Sequence, residues 1–129
     1  MNNDPLANAL SAMLNYETVG KKEIIITPTS KVILGVLKIL NANQYVGAVD
    51  KITDEKGGVI KLHLLGNINK CGVIKPRFSV GWKEFEKFEK RYLPAKGMGI
   101  IIISTPKGLM TLDEAREKKT GGKLIAYCY

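Results

Sequence analysis

Histidine occurs once in this 129-residue chain, tryptophan once and cysteine twice. Cys71 and Cys128 stand far apart and form no C-x-x-C pair. A structural zinc site needs clustered Cys and His ligands, so no metal is expected. His63, with no Cys or His near it, reads as a lone surface or half-buried imidazole. No pair of carboxylates sits in the apolar surroundings that would separate their pKa values for acid–base work. No run of 18 apolar residues is present, which excludes a membrane-spanning helix of ordinary kind. The opening MNNDPLANAL lacks the basic head of a signal peptide. The expectation is a soluble, unexported, cytoplasmic protein with two buried thiols, a single Cys71–Cys128 disulfide being the alternative.

What the chain has in excess is positive charge, with a formal net of +8. Split at Gly66, the first part carries seven Lys/Arg against six Asp/Glu, a net of +1. The second carries thirteen against six, a net of +7. An excess confined to one half points to a polyanionic partner for that half, nucleic acid first and an anionic membrane second.

The local patterns give an α+β protein. Asp4-Pro5 resembles an N-cap with proline at the first helical position. Leu6, Leu10, Met13 and Leu14 then share one helical face, and Gly20 stops the helix. EIIIT (23–27) is a short β-branched strand. Thr29 or Ser30 caps a second helix with an apolar stripe over Val32, Ile33, Val36, Leu37 and Leu40, ending near Asn43. YVGAVDKI and GVIKLHLL flank TDEKGG as a β-hairpin. Residues 1–66 thus form an N-terminal α/β lobe in the order helix, strand, helix, strand, strand, and the polar GNINKCG links it to the rest.

Residues 67–129 read as a mostly β lobe with short helices. VIKPRFSV is strand-like, with Pro76 marking an edge or a bulge. WKEFEKFEKRYLP spaces Trp82, Phe85, Phe88 and Tyr92 for a short helix docking its aromatics on a sheet, though lysines between aromatics can also stack on bases. MGIIIIS is a buried strand. Thr111-Leu-Asp-Glu114 is a capping box opening a short helix, LDEAREKK. KLIAYCY is a final strand, Leu124, Ala126 and Cys128 alternating with Ile125, Tyr127 and Tyr129.

Two enzyme signatures are decoys. Ser104-x-x-Lys107 and Lys119-Thr120-Gly121 match the S-x-x-K and K-T-G of serine penicillin-binding enzymes. That chemistry places the lysine one helical turn from the serine, and Pro106 and Gly108 oppose a helix there. Gly121-Gly122-Lys123 lacks the earlier glycine and the following Ser/Thr of a P-loop. No catalytic group and no cofactor is expected. Nucleic-acid binding, by contrast, has a use for STPKG (104–108). After a rigid strand, Ser104 and Thr105 can meet phosphates, ribose hydroxyls and base edges. Pro106 stiffens the tip, Lys107 supplies a charge and Gly108 lets the backbone approach closely. The helix begun at Thr111 offers its N-terminal dipole to a phosphate, and Gly121, Gly122 and Lys123 return as a second arm of the same surface. A basic membrane-surface or protein-docking module is the alternative, needing an amphipathic helix with one broad apolar face and many lysines opposite. Residues 82–93 come closest, but their three glutamates spoil the cationic face.

The stretch IIIISTPKGLMTLDEAREKKTGGKLIAYCY (100–129) strongly resembles the C-terminal signature of protein eight of the small ribosomal subunit. The matching residues are Ser104, Thr105, Lys107, Gly108, Met110, Thr111, Glu114-Ala115-Arg116, Gly121-Gly122 and Ala126-Tyr127. DPLANALSAMLNYETVGKKEIIITPTSKVILGVLKIL resembles the family's opening helix, strand and second helix, so the likeness covers essentially the whole chain. The segment from Trp82 to Thr105 is similar to the archaeal and eukaryotic type. Many bacterial members carry glutamate after the paired glycines, where this chain has Lys123. The resemblance implies a structural protein, not an enzyme, that is monomeric when free. It implies direct binding to the central domain of small-subunit rRNA during assembly, beside neighbouring small-subunit ribosomal proteins and away from membranes. The main contacts it implies are Ser104 to Gly108, Met110 and Gly121 to Lys123; Asp4, Pro5, Ser30 and Lys31 carry over more weakly.

Overall fold

The computed structural model describes residues 5–27, 30–53, 58–95 and 97–129, and of residue 53 only the backbone. The architecture is α+β, and the chain divides into two compact units, Met1–Lys70 and Cys71–Tyr129.

The first unit runs α1 (Pro5–Thr18), β1 (Glu23–Ile26), α2 (Lys31–Ala42), β2 (Val46–Thr53) and β3 (Val59–Leu64). This is the order the patterns predict. The strands form an antiparallel sheet in the order β1-β3-β2. Leu6, Leu10 and Met13 of α1 are buried, as are Ile33, Val36, Leu37 and Leu40 of α2. The sheet offers them Ile24, Ile26, Ile60 and Leu62, each such side chain contributing about 1.5–3 kcal/mol by leaving water. After α1 the Lys21 N–H donates back to the Tyr16 carbonyl at 2.9 Å, and Gly20 takes φ +79°. Glycine adopts that left-handed conformation without penalty, so the helix stops there. Ser30 caps α2, its hydroxyl accepting from the Ile33 N–H at 3.2 Å. The β2–β3 turn and Asp4, the expected cap of α1, lie outside the described residues.

Beyond β3 the chain is fastened to its own unit by one carboxylate. Glu17 accepts from the N–H of Gly66 through Oε1 and from that of Ile68 through Oε2, both at 3.0 Å. Asn67 donates to the Gln44 carbonyl at 2.8 Å, and Ile68 is buried. The segment that composition marks as a polar link is therefore ordered structure as far as Ile68.

The second unit comprises β4 (Cys71–Val73), β5 (Ser79–Val80), a single 3₁₀ turn (Trp82–Glu84), α3 (Phe85–Tyr92), β6 (Ile100–Thr105), β7 (Gly108–Thr111), α4 (Leu112–Glu117) and β8 (Gly122–Cys128). The sheet order is β4-β8-β6-β7, and β5 also pairs with β8, near that strand's start. VIKPRFSV is thus two short strands: the chain leaves the ladder around Pro76, which has no N–H to give it. Phe85 and Phe88 dock α3 onto the sheet as expected, joining Ile101, Ile103, Met110, Leu112 and Leu124 in one core. Cys71 and Cys128 are register partners on β4 and β8, both buried as thiols.

One expectation fails instructively. Strict alternation would put Leu124 on the face of Ala126 and Cys128. Instead the register shifts between Ile102↔Ala126 and Ile103↔Leu124, leaving Ile125 as an extra residue in β8. An extra residue turns all that precedes it to the other face. Leu124 therefore shares the α3-facing core with Ile101, Ile103 and Tyr127, and Lys123 emerges beside Ser104.

Candidate nucleic-acid interface

The β6–β7 hairpin turns at Pro106 and Lys107, between the paired residues Thr105 and Gly108. Proline presets the backbone angle a tight turn requires, and Gly108 at φ +114° supplies the conformation that other residues resist. Thr105 ties the turn internally: its hydroxyl donates to the Gly108 carbonyl at 2.9 Å and accepts from the Lys107 N–H at 3.1 Å. Pro106, Lys107 and Gly108 are exposed at the tip.

The paired glycines lie against this hairpin. Ser104 of β6 pairs with Lys123 of β8, so the two arms expected to act together do meet. A Cβ added to Gly122 would stand 2.0 Å from the Ser104 carbonyl oxygen, and one on Gly121 would stand 2.4 Å from that of Val80. The glycines are thus required by protein packing against β6 and β5, a nearer cause than the approach of a ligand. A shallow groove of about 550 Å³ runs over this junction, lined by Ser79, Gly81, Ser104, Pro106, Gly122 and Lys123 among others.

Several expected contact residues build the site from beneath. Thr105 is 8% exposed and its hydroxyl is engaged in the turn. Met110 is 3% exposed, within the core. The side chains of both therefore support the groove without lining it. The N-terminus of α4 does not offer itself to a phosphate either. Thr111 accepts from the Glu114 N–H at 3.3 Å, and the Glu114 carboxylate takes the Thr111 N–H and O–H. The capping box fills the position with the protein's own anion. In the first unit, Pro5 and Lys31 are exposed at the starts of α1 and α2, and the Ser30 hydroxyl serves as a helix cap.

Electrostatics separate this groove from a larger one in the same unit. That one, about 790 Å³, has Lys83, Lys90 and Arg116 set against Glu86, Glu89 and Asp113 on its walls. Arg116 pairs with Asp113 at 2.9 Å and with Glu89, and Lys90 stands 3.7 Å from Glu86. Among the described residues its charges are balanced, which gives a polyanion little hold. Lys107 and Lys123, by contrast, have no ion-pair partner among the described residues. Ser79 and Gly81 were not singled out in the sequence; the alternation that turns Val80 inward was the one available signal for Ser79. Among the described residues no group of His, Cys, Asp and Glu could hold a metal ion, and no helix is long and apolar enough to cross a membrane.

A rigid hairpin tip, lysines with no ion-pair partner among the described residues and the Ser79 and Ser104 hydroxyls, gathered at one end of the sheet, form a surface suited to a nucleic-acid backbone. The family model described as Ribosomal protein S8 matches residues 4–129, nearly the whole chain. The chain belongs to the ribosomal protein S8 family, whose members are structural proteins of the small ribosomal subunit that bind its RNA.

Proposed function

We propose that this protein binds the central domain of small-subunit rRNA directly and supports assembly of the subunit, alongside neighbouring small-subunit proteins. The observation that carries this reading is the groove at the β5, β6 and β8 junction, where Lys123 and the Ser104 hydroxyl, with no partner among the described residues, stand beside the Pro106-Lys107 tip. Lys107 and Lys123 neutralise phosphates. Ser104 reads a ribose hydroxyl or base edge in a widened minor groove, where RNA displays both. The backbones of Gly108, Gly121 and Gly122 follow the RNA closely, with Pro106 packed at the rim, while Thr105 and Met110 hold the hairpin in shape. Asp4, Pro5, Ser30 and Lys31 add a weaker contact from the first unit.

The membrane-surface alternative loses its footing, because the apolar face of α3 is already buried through Phe85 and Phe88. Chemical footprinting of in-vitro-transcribed small-subunit rRNA, with and without the protein, tests the reading. Protection confined to the central domain is expected. Protection elsewhere, or none, overturns it.

A further inference from the structure

Five serine and threonine hydroxyls belong to the second unit: Ser79, Ser104, Thr105, Thr111 and Thr120. Three have internal partners. Thr105 bonds within the hairpin tip, Thr111 within the capping box, and Thr120 donates to the Gly121 carbonyl at 3.4 Å. Ser79 and Ser104 have no side-chain partner among the described residues.

Those two are not scattered. Ser79 pairs with Lys123 across β5–β8, and Ser104 pairs with the same Lys123 across β6–β8. Directly paired residues of an antiparallel sheet project from the same face. The order across three strands is therefore hydroxyl, ammonium, hydroxyl, along one wall of the groove. The glycine pair makes the row possible: Gly121 admits β5 to the edge of β8 and Gly122 admits β6 on its other side.

We infer that Ser79 is a further RNA-contacting residue, donating its hydroxyl to a backbone phosphate that Lys123 also engages. The inference rests on the proposed rRNA-binding role of this groove. Strands lie about 4.8 Å apart, so Ser79 and Ser104 are separated by about 10 Å. A single phosphate cannot span that distance. The two hydroxyls hold different groups along the RNA, and the flexible Lys123 side chain between them reaches either. Ser79 lies on the side away from the hairpin tip, so its contact positions the strand without reading sequence.

The test is a set of filter-binding titrations with in-vitro-transcribed small-subunit rRNA, using the full-length chain and its variants. Ser79→Ala should weaken binding about tenfold or more, the loss of one hydrogen bond to a charged acceptor, with an unchanged salt slope because a neutral donor releases no counterion. Ser79→Thr, which retains the hydroxyl, should restore most of the affinity. The Ser79→Ala/Lys123→Met pair should lose less than the product of the single effects, because both touch one phosphate; Ser79→Ala/Ser104→Ala should be multiplicative. If Ser79→Ala binds like wild type while Ser104→Ala and Lys123→Met weaken binding, the Ser79 assignment is overturned and the groove keeps its role. Equal weakening by Ser79→Ala and Ser79→Thr would also overturn it, because the hydroxyl would then be irrelevant. If none of the three positions matters to binding, the RNA-binding reading of the groove fails with it.

Discussion

The two units contain six acidic residues each, yet the first has eight lysines and arginines and the second twelve, nets of +2 and +6. Net charge is only part of the contrast. In the first unit several polar groups serve the fold: Lys61 pairs with Glu23 at 2.8 Å, His63 with Asp50 at 2.9 Å, and Glu17 accepts two backbone N–H groups. The second unit also pairs Glu86, Glu89 and Asp113 with Lys90 and Arg116 and uses Glu114 in a helix cap. Among the described residues, however, it leaves Lys107 and Lys123 without an ion pair and Ser79 and Ser104 without a side-chain hydrogen bond. Internal pairing serves a fold. Donors kept unpaired on a rigid sheet surface cost little in water and remain available to an external acceptor.

The sharpest way to break this contrast is to spoil the junction that holds those donors together. Gly122→Ala would drive a methyl group into the Ser104 carbonyl, and about 3 kcal/mol of stability should be lost by overpacking and backbone displacement. Gly20→Ala in the first unit meets no atom within 4 Å and opposes only a φ of +79°, so about 1 kcal/mol is expected. Urea titration of both variants checks the difference, and equal losses would remove the steric role assigned to Gly122.

Glu17→Ala should follow, destabilising the protein by about 1–2 kcal/mol as the N–H groups of Gly66 and Ile68 lose their acceptor. Affinity for small-subunit rRNA should stay as it was, once compared under conditions where both proteins are folded. Lys107→Ala is the converse. Its melting temperature should match wild type, whereas the slope of log affinity against log salt should flatten by about 0.7–0.9, one phosphate's worth. An unchanged slope would deny that lysine a phosphate.

The smallest effect concerns the exposed Glu23–Lys61 pair. The Lys61 hydrogen bond holds the Glu23 carboxyl below its ordinary 4.5, and Glu23 raises the Lys61 ammonium above 10.5. The carboxylate's contribution is present above pH 4.5 and is lost as the pH falls through its lowered value. That of the ammonium is present below 10.5 and is lost as the pH rises through its raised value. The stability difference between wild type and Lys61→Met should therefore be greatest between those limits, shrink at both ends, and diminish with added salt.

Most of the element order could be read from sequence, because its signals are local. Apolar spacing marked α1 and α2, Ser30 and the Thr111–Glu114 box marked helix starts, and Gly20 marked a stop. What could not be read depends on partners distant in the chain. Nothing around Ile125 announces a bulge; it shows only when β8 is laid against β6. Pro76 signalled an irregular strand but not that two fragments would pair separately with β8. At the site, STPKG and the paired glycines stood out by composition, yet the roles within them divided differently. A buried Met110 and an internally bonded Thr105 resemble Ser104 in a motif and differ from it in space. Ser79 carries only the mark of alternation with the inward Val80, since its neighbours in the row come from residues 104 and 123.

The steric seat of the paired glycines bears on how variation among relatives should be interpreted. A ban on any side chain at 121 and 122 arises inside the polypeptide, before RNA is present, so invariance there would report on architecture. Lys123 stands clear of that restriction and is exposed. Substitutions at that single position can retune the surface, including its sign, without disturbing the scaffold beneath.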